Sequence, residues 1–366
     1  MKKTVDTPFL VVICTLVVSG LIIFTSAALG LLARGSGATF TSVAVSQLLL
    51  GLICGGAACF FFAAVDYRFW RRFTPYFFAG AFFLTILTFV PGIGLELKGA
   101  SRWILIGSFS FQPEEILKFA VVAFLAAIYA GKFKTVSTIQ GGIVPLLAVA
   151  GSSAVLLILQ PNTAGVIMIV AAAAGMLFAA GGKIWHLAVL GLVGVVAIGA
   201  AALFYPHVAD RITTFINHTE DPQGAGWQIQ QSLIAVGSGG LTGRGLGQSV
   251  QKFSYLPEPI GDSIFAVAGE EFGFIGGVFL LFLYVALAML GLRIASRAAD
   301  PFGGLMVVGL VILIVGQSFF NIASIIGLVP LVGIPLIFVS HGGTALAIAL
   351  AEIGMILSVS RRMRHK

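Results

Sequence analysis

Residues 237–277 read GSGGLTGRGLGQSVQKFSYLPEPIGDSIFAVAGEEFGFIGG, and the fold follows from the change of character inside that stretch. Six of its first eleven residues are glycine (Gly237, Gly239, Gly240, Gly243, Gly245 and Gly247). Lys252 and a Leu256-Pro257-Glu258-Pro259 turn follow, and Asp262 then opens a long apolar segment. Glycines this dense let backbone N–H groups approach a ligand and take positive φ, which suits an anion-cradling loop as well as a simple flexible one. The junction at Asp262 is where chemistry is expected.

Composition fixes the solvent on either side of that junction. The chain has 366 residues, 58% of them hydrophobic and 10% charged, with a mean hydropathy of +1.06. Its apolar residues come in runs near the twenty needed to cross a bilayer, so it reads as a polytopic membrane protein. A net charge of +7 would point to nucleic acid in a soluble protein. Here the basic residues are topology signals first, and no nucleic acid partner is expected. Cys14, Cys54 and Cys59 lie in apolar runs without metal or redox spacing and read as small packing residues.

Counting runs outward predicts an all-α polytopic membrane protein with ten transmembrane helices. The spans are expected near 8–32, 43–65, 74–91, 112–131, 142–159, 163–180, 184–204, 263–292, 302–326 and 331–359. One large extracytoplasmic loop, about 205–261, separates helices 7 and 8, and the whole of 1–366 reads as a single integral-membrane domain. The stretch from Gly94 to Trp103 is expected to be a loop. With the N-terminus inside, 14 of the 21 Lys and Arg fall on inner loops, Arg68, Arg71 and Arg72 among them. That is the asymmetry of an even-spanning protein with both termini in the cytoplasm. Ten of the fourteen carboxylates lie at or near the outer face.

The glycine run lacks Gly-Lys-Ser/Thr and follows no strand, which excludes a Walker A loop and a Rossmann fingerprint. Gln112-Pro113 begins a helix whose first turn carries Glu114 and Glu115, four and three residues before Lys118. That spacing allows a purely structural salt bridge and equally a functional intramembrane charge. Glu270 and Glu271 are two helical turns beyond Asp262, about 12 Å deeper, too far for paired-carboxylate work with it, and are expected to find partners inside the bundle. Asn321, Ser340 and His341 are expected to satisfy backbone at breaks in the last two spans.

Several motifs in order resemble the SEDS family (FtsW/RodA/SpoVE) over about residues 9–362. They are Lys98-Gly99-Ala100-Ser101-Arg102-Trp103-Ile104, Gln112 to Lys118, Gln160-Pro161-Asn162, Gln228 to Gly247, Gln251-Lys252 with Leu256-Pro257-Glu258 and Asp262, Glu270-Glu271, Asn321, and Pro335 to Gly343. Asp221-Pro222 with Gly224 is more similar to the cell-division branch (FtsW, SpoVE) than to the elongation branch (RodA). The resemblance implies a peptidoglycan glycosyltransferase of the bacterial cytoplasmic membrane. It would polymerise lipid II, the undecaprenyl-pyrophosphate disaccharide pentapeptide, at the outer face during cell division. Its essential Asp falls on Asp262, its Gln-Pro carboxylate on Glu115 and its following Lys on Lys118. Three positions depart from the family pattern: Asn162 where Asp is usual, Glu114 where Ser is usual and His341 where Tyr is usual.

Joining two lipid-linked sugars needs a base for the acceptor hydroxyl and cations for the departing pyrophosphate. Asp262, partly desolvated beside an apolar span, is the expected base. Arg102, Lys118, Arg244 and Lys252 are the expected anion partners. Gln112, Glu114, Glu115, Glu258, Ser340 and His341 are expected to support them. A divalent cation, Mg²⁺ or Mn²⁺, is compatible with the carboxylate-rich outer face, but no ligand set is legible. A lipid II carrier without bond chemistry and a RodA-like elongation polymerase are the alternatives. A carrier needs polar groups reachable from both faces, while the inner half of the spans holds little charge beyond Glu352.

The resemblance further implies a single-span class B penicillin-binding protein as transpeptidase partner, together with other divisome proteins. Small residues let helices approach closely, so Gly273, Gly276 and Gly277 in span eight and Gly303, Gly304, Gly309 and Gly316 in span nine are expected either to present the docking face or to pack the protein's own bundle. The topology has a direct check. Tags inserted at 36–38 and 219–224 should be reached by impermeant reagents from outside, and tags after Lys132 and Arg362 only from inside. An inside-accessible tag at position 223 overturns the orientation.

Overall fold

In hydrocarbon every backbone N–H and C=O must find a partner within the protein, so the apolar runs fold as helices. The computed structural model describes residues 5–34, 40–97, 100–106, 109–204, 206–216 and 225–363. The tag positions 36–38 and 219–224, with Asp221 and Pro222, lie outside the described residues, as do Lys98 and Gly99.

The helices are α1 (Thr7–Arg34), α2 (Ser42–Ala64, with a π-helical stretch at Ser46–Cys54), α3 (Tyr67–Phe89), α4 (Pro113–Gly131), α5 (Ile139–Leu159), α6 (Thr163–Ala179), α7 (Ile184–Phe204), α8 (Pro206–Ile216), α9 (Ala225–Ser238), α10 (Gln251–Ser254), α11 (Ile264–Ser296), α12 (Pro301–Ile325) and α13 (Gly343–Ser360). Seven of them, α1, α2, α3, α5, α11, α12 and α13, are long and apolar enough to cross a membrane. The α4 helix misses that description because Glu114, Glu115 and Lys118 sit in its first two turns, and α6 has 17 residues. Most of α12 and α13 is enclosed (72% and 83% of the most apolar window), against 22% for α2 and α3, so the former pair forms the core and the latter faces lipid. The α12 helix packs on α4, α6 and α11, while α13 lies along α2.

Side chains capping chain ends hold one face of the bundle together. Asp6 pairs with Arg293 at 3.0 Å and Asp66 with Arg362 at 2.9 Å. Asp300 caps α12 through Gly303 N–H while accepting from the Tyr67 hydroxyl (2.5 Å) and Arg68 (3.0 Å). Burial alone would raise the Asp300 pKa, but these donors hold it below the ordinary carboxylate value.

The structure corrects three expectations. The region from Gly94 is not a loop but an antiparallel sheet of β1 (Gly94–Leu97), β2 (Ala100–Ile106) and β3 (Phe109–Phe111), in the order β1-β2-β3. Leu95 pairs with Trp103 and Ile104 with Phe111, the cross-strand contacts that β-branched and aromatic residues favour, so the chain is mainly rather than wholly helical. The last span is helical only from Gly343, because Pro330, Pro335 and the positive φ of Gly327, Gly333 and Phe338 keep 327–342 out of a helix. Within 205–261 the described residues form α8, α9 and α10. Finally, the span-nine glycines pack inward. A Cβ at Gly309 would stand 2.5 Å from Val122 and 2.6 Å from Met176 Sδ, and one at Gly303 2.8 Å from the Tyr67 ring, so these two positions seat α12 against its own bundle.

Candidate functional site

The α11 helix is broken at Gly273, whose φ of 66° and ψ of −163° interrupt the hydrogen-bond ladder. A break leaves carbonyls before it and N–H groups after it without partners. The glycine run supplies partners for two of each. Arg244 and Gly245 N–H donate to the carbonyls of Glu270 and Glu271 (3.0 Å each), and Phe274 and Ile275 N–H donate to those of Gly240 and Leu241 (2.8 and 3.1 Å). Such contact needs bare backbone, since a side chain at Gly273 would strike Gly243 N and the Leu241 carbonyl. These glycines therefore complete a broken helix, and the two N–H groups at Arg244 and Gly245 are committed to it.

The two carboxylates beside the break secure the rest of the loop. Glu270 accepts from Ser249 Oγ (2.6 Å), Val250 N–H (3.1 Å) and Gln251 N–H (3.2 Å), with Arg244 at 3.4 Å. Glu271 meets Lys252 at 2.6 Å and Ser26 of α1 at 2.7 Å, and Lys252 also donates to Ser26 and the Gly247 carbonyl. Lys252 and Glu271 are closed off from solvent completely. Two of the four expected anion partners, Arg244 and Lys252, thus belong to this latch, and only Arg244 is substantially exposed.

A second polar group forms around Asp262, where α11 starts. The Asp262 carbonyl accepts from Asn321 of α12 (2.9 Å), and Asn321 also holds the Ile334 carbonyl (2.6 Å). Ser340 donates to the Gly261 carbonyl and accepts from Leu336 N–H, both at 2.8 Å, while His341 N–H donates to Ile260 (2.7 Å). Gln228 of α9 donates to Ser263 (2.9 Å). The 327–342 segment approaches closely from one side: a Cβ at Gly333 would lie 3.2 Å from the Asp262 carboxylate. Three elements, α9, α12 and the 327–342 segment, thereby fix one half-buried aspartate turn. The Glu258 carboxylate flanks the same turn, 3.5 Å from the Cβ position of Gly261.

The basic residues near Asp262 are Arg102 and Arg211. Arg102, on β2, donates to the carbonyls of Gln160 (3.2 Å) and Pro161, and Arg211, on α8, donates to Thr163 (2.9 Å). Burial lowers both guanidinium pKa values. The Arg102 charge lowers that of Arg211 further, and the Asp262 carboxylate opposes the shift in each. Arg102 also lies in the field of the Glu114 carboxylate, more strongly than in that of Asp262, so the two guanidiniums share a mouth with two carboxylates and offer cationic donors to an entering anion. Arg211 belongs to none of the motifs singled out in the sequence. Its sequence carries no local signal, because the proximity is made by α8 folding over the mouth of the bundle.

Beneath lies a third group. Lys118 donates to Glu115 and to Gln317, both at 2.8 Å, and all three are buried. Gln317 and Asn321 are one turn apart on α12, which puts the Lys118 pair about 6 Å along that helix from the Asp262 turn. Glu114 is held by Gln112 (2.9 Å) and by Asn162, which also caps α6 through Gly165 N–H (3.1 Å). Two of the three departures from the family pattern therefore touch each other, the carboxylate standing at 114 and its neutral partner at 162. The third, His341, stacks on Phe24 of α1 with ring centroids 6.0 Å apart. Among the described residues no cluster of three or more His, Cys, Asp or Glu is arranged to hold a metal ion.

Fold and site together define a polytopic helical membrane protein with acidic and basic groups gathered at one mouth of its bundle. The family model described as "Cell cycle protein" (FtsW/RodA/SpoVE) matches residues 7–365, and the chain belongs to that family. It is 43% identical to stage V sporulation protein E of Bacillus subtilis over 320 residues, covering 87% of each chain. It is 39% identical to a probable peptidoglycan glycosyltransferase FtsW of Geobacter sp. over 316 residues, covering 86% of this chain and 85% of that one. The fold matches a peptidoglycan synthase complex chain described as coordinating polymerisation and crosslinking (TM-score 0.73, 24% identity, 93% and 96% coverage). It also matches the rod shape determining protein RodA of Thermus thermophilus in an aspartate-to-alanine variant (TM-score 0.72, 22% identity, 99% of each chain).

The latch assignment of Lys252 is testable. Lys252→Met strands a buried carboxylate and should cost about 3–5 kcal/mol of stability, whereas Lys252→Met with Glu271→Leu should recover most of it. Thermal melting of the purified variants distinguishes the cases. A double variant that melts normally but has lost anion binding would return Lys252 to the substrate site.

Proposed function

We propose that this chain is a peptidoglycan glycosyltransferase that polymerises lipid II at the outer face of the bacterial cytoplasmic membrane. The observation that carries the reading is the single half-buried Asp262 fixed by Asn321, Ser340 and the Gly333 approach, with Arg102 and Arg211 in its field. Asp262 takes the proton of the acceptor hydroxyl as the new glycosidic bond forms. Arg102 and Arg211 stabilise charge on the departing undecaprenyl pyrophosphate. The Glu115–Lys118–Gln317 group shapes the floor of the site, with Glu114, Gln112, Glu258 and His341 in support. Similarity to SpoVE and FtsW relatives favours the cell-division branch.

The same reading places ten spans in the membrane, adding α4, α6 and α7 to the seven long apolar helices. Both termini then lie in the cytoplasm and α8 to α10 outside. A class B penicillin-binding protein is the proposed partner, and other divisome proteins would join the pair. Its docking face is the exposed side of α11, where Phe274, Ile275, Phe282 and Met289 are each more than 60% exposed, in place of the inward-facing glycines of α12.

Purified protein given labelled lipid II should make glycan polymer, and Asp262→Asn, which keeps size and removes basicity, should lower turnover about 10²- to 10⁴-fold with lipid II binding retained. Near-normal polymerisation by the variant sinks the assignment of the base. Translocation of lipid II by wild-type protein without any polymer would favour the carrier. For the partner, Phe274→Ala combined with Phe282→Ala should reduce co-purification with the transpeptidase by tenfold or more while sparing the isolated activity, since buried aromatic anchors carry much of an interface. Unchanged co-purification removes α11 as the docking face.

A further inference from the structure

The face opposite Asp262 has a feature that polymerisation does not use. Between the start of α3 and the last turns of α4 lies a cleft of about 490 Å³. Arg68, Arg71 and Arg72 form one end, and Phe124, Ala127 and Ile128 of α4 form an apolar wall. The three arginines are not equivalent. Arg68 is committed to Asp300 and the Tyr67 hydroxyl. Among the described residues, Arg71 and Arg72 have no carboxylate within salt-bridge distance. Their guanidinium groups are instead positioned by aromatic rings, Arg72 over Phe69 (5.0 Å) and Phe73 (4.7 Å) and Arg71 over Phe302 (6.0 Å).

We infer that this cleft binds the headgroup of an anionic phospholipid, with the phosphodiester on Arg71 and Arg72 and one acyl chain along the α4 wall. Planar guanidiniums match phosphate oxygens in paired hydrogen bonds, and ring stacking fixes their direction before a ligand arrives. The wall suits a hydrocarbon chain and offers a free inorganic anion nothing. Around the cleft the surface is that of a membrane interface, with Phe73 and Tyr76 exposed at 38% and 76%. Basic pockets between helices at this level are places where lipid headgroups are held. Only the identity of the leaflet, the inner one, rests on the orientation proposed above. Binding in detergent does not depend on it, so failure of that orientation and failure of this site are separable.

The test is native mass spectrometry of the full-length protein in detergent, titrated with phosphatidylglycerol, phosphatidylcholine or inorganic phosphate. Phosphatidylglycerol should be retained in preference to phosphatidylcholine, and excess inorganic phosphate should not displace it. Arg71→Gln with Arg72→Gln should weaken phosphatidylglycerol binding about 25-fold, fivefold for each guanidinium at about 1 kcal/mol. Because these arginines also serve as topology signals, two further variants keep the charge. Arg71→Lys with Arg72→Lys should lose a large part of the affinity, since an ammonium lacks the planar fork. Ala127→Phe, which fills the wall and leaves both arginines, should weaken the lipid severalfold. Lipid II polymerisation at wild-type rate shows that each variant is folded. Equal retention of the two phospholipids by wild type overturns the site. Displacement by inorganic phosphate, or an Ala127→Phe variant that binds normally, shows an anion patch and overturns the lipid assignment.

Discussion

The interaction on which the rest of this structure depends is the exchange of backbone hydrogen bonds between the break in α11 and the glycine run. Within a bilayer an unpaired peptide group costs several kcal/mol, so a helix cannot open at Gly273 unless another backbone closes it. The run from Gly239 to Gly245 does so with four hydrogen bonds, and the backbones meet too closely for a Cβ at Gly239, Gly243 or Gly273. Once docked, the run brings Lys252 down to Glu271 and Ser26, which ties α1, α10 and α11 together in a region closed to solvent. Asp262 stands two turns above this tie and takes its position from it.

The opposite wall of the mouth is irregular for the same reason. The 327–342 segment abandons helical geometry, and Asn321, Gln317, Ser340 and Gln47 satisfy the backbone it frees. Irregular main chain at membrane depth is tolerated where it is buried in protein or lines a cavity. Here it allows Gly333 to reach the Asp262 carboxylate, a contact that a continuous helix with side chains at every position does not permit. Departures from regular structure thus surround the aspartate on two sides, while the regular helix α4 supplies the deeper charges and α12 the neutral Gln317 that accepts from Lys118.

Much of this was legible in the sequence, and what was not had a physical cause. Runs of apolar residues announce helices through length alone, and Gln112-Pro113 marked the start of α4 because proline fits a first helical turn. The sheet at Gly94–Phe111 was missed because its strands are short and their pairing, such as Leu95 with Trp103, appears only when the chain turns back. The glycine run was legible as a close-approach element, but its partner was not, since positive φ is demanded equally by an anion and by a helix break. Lys252 and Arg102 looked alike as outer-face cations. They differ because Glu271 lies where it can neutralise one, whereas the other donates to the carbonyls of Gln160 and Pro161 at the mouth. The exchange between Glu114 and Asn162 was visible only as two separate oddities 48 residues apart.

The buried contact among Ser26, Lys252 and Glu271 also sets a clock. Ser26 belongs to the first helix made, and its partners are made 226 and 245 residues later. At roughly 5–20 residues per second, α1 enters the membrane about ten to fifty seconds before either partner exists. During that interval the Ser26 hydroxyl lacks both of these partners. The outer loop cannot settle piecemeal as it emerges, because one side of its anchor is the oldest part of the chain and the other lies beyond the loop itself. The mouth of the bundle is therefore assembled last, whatever order the spans are inserted in.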